Sequence, residues 1–263
     1  MKDTLIQSGN LTRPGLVHAF TTREGGVSEG PFASLNLTRS RGDDPARVSA
    51  NRTRVRDALG LDHLVFATQV HGKTVLRVEA PPKGDQPAGE GDALITDRPG
   101  IGLVCQTADC TPILLFDPKR GAVAAIHSGW RGTVQNIAGE TVAAMQEAYG
   151  SDPADLLAAI GPSISPASYR VGPDVVAAFE EALETTRGVL SPRDPEGGAQ
   201  LDVAEACRRQ LVMAGIPEAQ IERSPLCTYV EHDRLFSARR SHHQGETGQF
   251  GGQAGIIGIE GSR

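Results

Sequence analysis

The chain has 263 residues, enough for one large domain whose core does not depend on a metal or on disulfides. It carries 26 Lys and Arg against 32 Asp and Glu, and the formal net charge of -6 disfavours nucleic acid as a partner. Few cysteines, no Cys-x-x-Cys pair, no apolar leader and no long apolar run predict a cytoplasmic protein that does not enter membranes.

Short segments rich in Val, Ile and Leu and bounded by Gly, Pro or Asp predict the strands. In chain order they read GLVHAFTT, LVFATQVH, TVLRVEA, IGLVCQTA, TPILLFD, GAVAAIH and LLAAIGPSI. Gly72-Lys73 lies between the second and third segments and has the pattern of a two-residue type II′ turn. We therefore expect a β-hairpin over residues 64–80, with His71 fixed at its rim.

Helices are predicted between these strands from their start and stop signals. Asp44 caps a helix that ends at Gly60. The predicted first residues of the helices are Pro45, about Thr133, Pro173 and the residue after Asp202. Strands and helices interleave without the strict alternation of a doubly wound sheet, so the pattern predicts a single mixed α+β domain over residues 1–263.

Three residues with metal-ligand chemistry stand where predicted strands end. His71 closes LVFATQVH, Cys110 follows IGLVCQTA, and His127 ends GAVAAIH. Functional sites are often built at the ends of rigid elements, where turns leave room for a ligand. One thiolate and two imidazoles suit Zn²⁺ and leave a fourth position open, as in a catalytic zinc centre.

Two other interpretations fit the same residues. Cys110 would be a metal-free nucleophile in a Cys-His hydrolase. Alternatively, the cysteine packs as a small apolar side chain and each histidine is simply hydrogen-bonded. The wide spacing between the three residues matches no short zinc motif, so the residues alone leave all three interpretations open.

A series of sequence blocks identifies a known family. They read HAFTTREGGVSEGPFASLNL, QVHGKTV, GDALIT, TADCTPILLFDP, AAIHSGWRG, AAIGPSISPASYRVG and LCTY...LFSARR. In wording and order they resemble the YfiH-like laccase-domain family, now regarded as purine nucleoside phosphorylases. The resemblance implies an α/β/β/α layered fold and a zinc site whose ligands are His71, Cys110 and His127.

The resemblance also implies an activity. It is zinc-dependent phosphorolysis of adenosine, inosine, guanosine and methylthioadenosine, with adenosine deamination as a further activity and with nucleoside and phosphate as the small-molecule substrates. An amide hydrolase that edits peptidoglycan precursors is an alternative. Polyphenol oxidation, and copper with it, is disfavoured because the chain has no His-x-His pair of the kind that multinuclear copper oxidases use.

Polar residues inside the same blocks are candidates for substrate binding and proton transfer. Arginines suit phosphate, and amides suit a nucleoside. Asp92 and Asp109 are candidates to orient a ligand histidine or to act as a general base. The substrate-binding candidates are Arg23, Asn36, Gln69, Arg131 and Arg239.

Overall fold

Two β-sheets stack face to face in a computed structural model of the protein, which describes residues 4–84, 86–246 and 248–261. The four-stranded sheet has the spatial order β1 (Leu16–Phe20), β12 (Gln253–Ile259), β5 (Ile101–Thr107) and β2 (His63–Phe66). The six-stranded sheet has the order β11 (Ile221–Arg223), β8 (Leu157–Ile160), β6 (Thr111–Asp117), β7 (Ala122–Ser128), β4 (Ala93–Thr96) and β3 (Val75–Arg77). A separate two-stranded ribbon pairs β9 (Arg170–Val171) with β10 (Ala199–Gln200). Parallel and antiparallel pairs occur in both large sheets.

Helices cover the outer faces of the two large sheets. They are α1 (Pro45–Leu59), α2 (Trp130–Val134), α3 (Ile137–Tyr149), α4 (Pro173–Ala182), α5 (Val203–Met213) and α6 (Ala238–His243). The ends of α1 are as predicted, because the Asp44 carboxylate accepts a hydrogen bond from the Ala46 amide and Gly60 adopts a left-handed φ of 69°. No helix in the described ranges combines the length and apolar composition needed to cross a membrane.

Consecutive residues of the central strands enter different cores, because side chains alternate between the two faces of a strand. In β5, Leu103 lies in the core between the sheets, whereas Val104 lies in the outer core with Val55 of α1. In β6, Leu114 lies between the sheets, whereas Ile113 lies in the outer core with α3 and α5. The layers are helix, sheet, sheet and helix, which confirms the expected mixed α+β fold with an α/β/β/α arrangement.

The hairpin predicted over residues 64–80 is wrong. Its first strand is β2, which pairs with β5, and its second is β3, which pairs with β4 in the other sheet. The left-handed residue of the turn is His71, with a φ of 61°, and Gly72 does not adopt the positive φ that a type II′ turn requires at that position. The segment is a loop that crosses between the sheets, so His71 lies beyond a strand end and not on a hairpin rim.

The second predicted helix is also interrupted. The sequence predicts one helix from about Thr133 to Tyr149, whereas α2 ends at Val134 and α3 begins at Ile137. Between them Asn136 adopts a φ of 62°, a left-handed conformation that asparagine tolerates better than most residues. The segment after β7 therefore forms two helices, α2 and α3, and not one.

Candidate active site

The three predicted metal ligands converge at one end of the six-stranded sheet. Cys110 directly precedes β6 and His127 is the penultimate residue of β7, and these strands are antiparallel neighbours that pair Pro112 with His127. The loop after β2 brings His71 to the same place. The ligand atoms of the three side chains all lie within 4.8 Å of one another, and Cys110 Sγ is 4.0 Å from His71 Nε2.

Asp92, which directly precedes β4, holds two of these ligands. One carboxylate oxygen lies 2.8 Å from His127 Nδ1, and because a carboxylate only accepts, Nδ1 carries a hydrogen. In the neutral ring this leaves the lone pair of Nε2 for a metal. The same carboxylate accepts from the amides of Val70, His71 and Gly72 at 3.2, 2.9 and 2.7 Å. Burial favours the neutral acid, but the hydrogen bonds from His127 and from the loop keep the pKa of Asp92 below its ordinary value.

The site favours charge separation between Cys110 and His127. Burial opposes ionisation of the thiol, but attraction to His127 and hydrogen bonds from both histidines lower the pKa of Cys110 to about 6. Burial likewise opposes the imidazolium, but Cys110 and the Asp92 carboxylate raise the pKa of His127 to about 9. Each group thus favours the charged form of the other, and the thiolate is the form of a cysteine that binds metals.

A glycine keeps the space between the ligands free. A Cβ atom on Gly129 would lie 2.8 Å from His71 Cδ2 and 3.1 Å from Cys110 Sγ. Gly129 has an ordinary φ of -79°, so its backbone conformation does not require glycine. Glycine is required because a side chain would collide with the ligands. Three converging donors, a fixed His127 tautomer and a gap that a side chain would fill fit a metal ion with one position left open.

A cavity of about 370 Å³ opens on this centre and is lined by all three ligands. Its size is typical of a site for a small molecule. Gln69, predicted as a substrate residue, lines the cavity, and its side-chain amide pairs with the backbone N–H and C=O of Gln106 at 2.7 and 2.8 Å. The cavity is also lined by arginines that the sequence analysis missed, at positions 39, 41 and 52. The signal was present, because TRSRG directly follows the SLNL block.

Two other predicted polar residues lie outside the lining of the cavity. Asn36 is buried, and its side-chain amide bonds to Thr38, Asp43 and the amide of Gly252. Neither Asn36 nor Asp109 is among the residues that line the cavity.

Asp109 tethers the loop before β6 to the C-terminal part of the chain. Its carboxylate accepts from Thr228 Oγ1 at 2.6 Å and from the Arg239 amide at 2.7 Å. Burial raises the pKa of Asp109, against the effect of these hydrogen bonds. The contacts therefore give Asp109 a positioning role for the loop that carries Cys110.

The predicted arginines also lie outside the cavity lining. Arg23 donates to the carbonyl oxygens of Ala33 and His232, both at 2.8 Å. Arg131 is exposed and its guanidinium lies 4.3 Å from the Trp130 ring centroid. Arg239 packs 4.9 Å from the ring centroid of Tyr169 and donates to the carbonyl oxygen of Arg170 at 3.0 Å.

Residues 17–260 match the family described as multi-copper polyphenol oxidoreductase laccase. The chain belongs to this family. A relative from Deinococcus radiodurans named purine nucleoside phosphorylase is 42% identical over 257 residues, which cover 97% of this chain and 92% of that protein. Another of that name, from Bacteroides thetaiotaomicron, is 40% identical over 232 residues, which cover 85% and 86%.

Solved structures of similar proteins have the same fold. The crystal structure of YlmD from Geobacillus stearothermophilus is 36% identical with a TM-score of 0.83, and covers 97% of this chain and 94% of that one. That of Bacillus licheniformis YfiH is 35% identical with a TM-score of 0.86 and covers 93% of both chains. The resemblance to the YfiH-like family is confirmed.

The family description and the names of the relatives indicate different chemistry. A multi-copper oxidase needs several ligand groups to hold its metals. In the part of the chain that the structure describes, the one group of three or more converging His, Cys, Asp or Glu side chains is formed by His71, Cys110 and His127. This family member thus offers one three-ligand centre beside a cavity of small-molecule size.

Proposed function

We propose that the protein is a zinc-dependent purine nucleoside phosphorylase of the cytoplasm that acts on adenosine, inosine, guanosine and methylthioadenosine. The observation that carries the proposal is the three-ligand centre, with a gap kept by Gly129, at the wall of a cavity of about 370 Å³. The names of the relatives support the nucleoside substrate. We further propose that residues 1–263 act as one domain, because β12 near the C-terminus pairs with both β1 and β5.

Zinc is the metal that we propose, because one thiolate and two imidazoles form a mixed set that suits it. When bound, zinc supplies Lewis-acid activation of a water or of a substrate oxygen. The chain itself fixes the ligands through Asp92 and surrounds the substrate with cationic side chains of the cavity wall. Those cations suit phosphate as the second substrate.

Two further activities use the same centre. Adenosine deamination is favoured by the gap beside Gly129, because it leaves room for a water next to the ligands. Hydrolysis of an amide in a peptidoglycan precursor is the alternative function, favoured by the arginines that line the cavity, since such precursors are anionic. Polyphenol oxidation stays disfavoured, because it needs further metal sites.

Incubation of the zinc-loaded protein with inosine, with and without phosphate, tests the proposal. We expect hypoxanthine and ribose 1-phosphate only when phosphate is present. Gly129→Ala should abolish turnover, because the added carbon enters the gap, whereas Gly9→Ala should not, because its added carbon would meet nothing closer than 3.4 Å. Absence of both products above a metal-free control would contradict phosphorolysis, and conversion of adenosine to inosine in a parallel reaction would establish deamination.

A further inference from the structure

One side chain in the cavity wall lacks the partners that its neighbours have. Arg39 donates to Ser49 Oγ at 2.7 Å, and Arg52 donates twice to the carbonyl oxygen of Leu37. Arg41 lines the same cavity, but its guanidinium makes no hydrogen bond or ion pair within residues 4–84, 86–246 and 248–261. It is therefore the arginine of this wall that is left to bind something else.

The surroundings of Arg41 hold its guanidinium in place without using its donors. Its Cζ lies over the Phe250 ring, 3.7 Å from the ring centroid, which is a cation–π contact. Stacking on an aromatic face leaves the N–H groups at the edge of the guanidinium available. The side chain is half-buried, and donors withdrawn from water are costly unless a partner meets them.

The charge of the cavity wall indicates the class of partner. Although the chain has a net charge of -6, no Asp or Glu is among the described residues that line this cavity, whereas three arginines are. Burial lowers the pKa of Arg41, and Cys110 and Asp109 oppose that effect. A concave wall whose charged side chains are all positive attracts anions from solution.

We propose that Arg41 is the recognition group of a phosphate subsite in the cavity, beside the ligand cluster of His71, Cys110 and His127. An edge of a guanidinium matches two oxygens of a phosphate, which explains an arginine held by stacking and not by hydrogen bonds. The arginines expected from the sequence, Arg23, Arg131 and Arg239, are not among the residues that line this cavity. The phosphate subsite rests on the proposed function in one respect, the source of the phosphate. That source is either inorganic phosphate or the 5′-phosphate of a nucleotide.

Direct titration of the metal-loaded protein with inorganic phosphate, followed by calorimetry, tests the subsite without any turnover. Arg41→Gln should weaken phosphate binding by about tenfold to a hundredfold, because a charge-assisted pair is lost. Arg41→Lys should recover part of the affinity, because it restores the charge without the planar fork. Arg187→Gln removes the same charge from an exposed residue outside the cavity and should change nothing.

A parallel titration with adenosine 5′-monophosphate separates the two sources. Arg41-dependent binding of inorganic phosphate identifies a co-substrate subsite, and the KM for phosphate should then rise in Arg41→Gln while the KM for inosine stays within about twofold. Arg41-dependent binding of the monophosphate alone supports the subsite with a nucleotide as its ligand.

The subsite is overturned if Arg41→Gln, folded as judged by circular dichroism, binds both ligands as tightly as the unsubstituted protein. It is also overturned if Arg187→Gln weakens them equally. A protein that binds phosphate through Arg41 but never cleaves inosine would contradict the proposed function and leave the subsite standing.

Discussion

The three ligands of the candidate centre are held in two different ways. Cys110 and His127 belong to the ends of β6 and β7, which are joined by a continuous antiparallel ladder and packed on both faces. His71 belongs to a loop between the two sheets, is exposed, and has a left-handed φ of 61°. A residue other than glycine in this conformation is uncommon and must be held there by its surroundings.

Asp92 keeps His71 in place, and it contacts both halves of the site: the sheet half, formed by Cys110 and His127, and the loop half, formed by His71 and its neighbours. Its carboxylate bonds to His127 in the sheet half and to three consecutive amides in the loop half. The sheet half is thus preorganised by backbone pairing, whereas the loop half depends on one buried side chain. A strand pair can position two ligands without further help, but the third ligand, on a loop, requires a dedicated polar partner.

Replacing the ligands one at a time should give the largest difference between the two halves, in zinc binding and in the free energy of unfolding. His127→Ala and His71→Ala should both abolish stoichiometric zinc binding. His127→Ala should also lower the free energy of unfolding of the metal-free protein by about 1.5–3 kcal/mol, because it removes a buried group bonded to a carboxylate. His71→Ala should change it by less than about 0.5 kcal/mol, because His71 is exposed.

Metal analysis and urea unfolding measure the two quantities. Cys110→Ser should also lose zinc and stay folded, since a chain of this size has its own core. Full zinc content in any of these variants would show that the ligands are assigned wrongly. Unfolding of all three would instead indicate a structural metal.

Asp92→Asn should have the next largest effect, because it disturbs both halves at once without changing the size of the side chain. Loss of the hydrogen-bond partner of a ligand histidine typically lowers metal affinity by roughly 10–100-fold. Competition with a chelating dye measures that affinity. Asp57→Asn is the matched control, because Asp57 is exposed and its carboxylate pairs with Arg56 at the surface. Unchanged zinc affinity in Asp92→Asn would mean that the strand ends alone organise the centre.

The same division separates what the sequence predicts from what it does not. The sheet half is predicted by the local sequence pattern. The segments TPILLFD and GAVAAIH match β6 and β7 to within one residue, and they place Cys110 and His127 at the strand ends. The loop half is not predicted in this way, because the conformation of His71 depends on a hydrogen bond with Asp92, which is 21 positions away along the chain. A Gly-Lys turn signal cannot reveal that the flanking strands belong to different sheets.

The strand β12 was missed for a related reason. Its glycines weaken the apolar pattern, but they are required by close contacts with neighbouring strands. A Cβ on Gly258 would lie 2.6 Å from the carbonyl oxygen of Ile101, and one on Gly255 would lie 3.0 Å from Cys105 Sγ. Arg41 was missed because stacking on Phe250, far along the chain, is what places it in the cavity wall.

The smallest expected effect concerns the reactivity of Cys110 in the sheet half once the metal is removed. Its pKa of about 6 predicts that alkylation of the metal-free protein by iodoacetamide falls as the pH drops through about 6, where the thiolate is lost. The thiolate fraction at pH 7 far exceeds that of an ordinary cysteine, but nucleophilicity falls with pKa, so the net gain in rate is only a few-fold. The pH midpoint is therefore the decisive observable, and peptide mass spectrometry assigns it to Cys110.

Two of the other cysteines provide internal controls, and metal occupancy distinguishes a coordinated Cys110 thiolate from a free one. Burial raises the pKa of Cys105 to about 12 and that of Cys207 to about 11, so both should stay unmodified in the folded protein. Bound zinc should protect Cys110 at neutral pH and above, because a coordinated thiolate has its lone pair engaged. Rapid alkylation of Cys110 in the zinc-loaded protein would mean that the thiolate is free. The strand ends would then hold a Cys-His nucleophilic pair, and the loop half would not complete a metal centre.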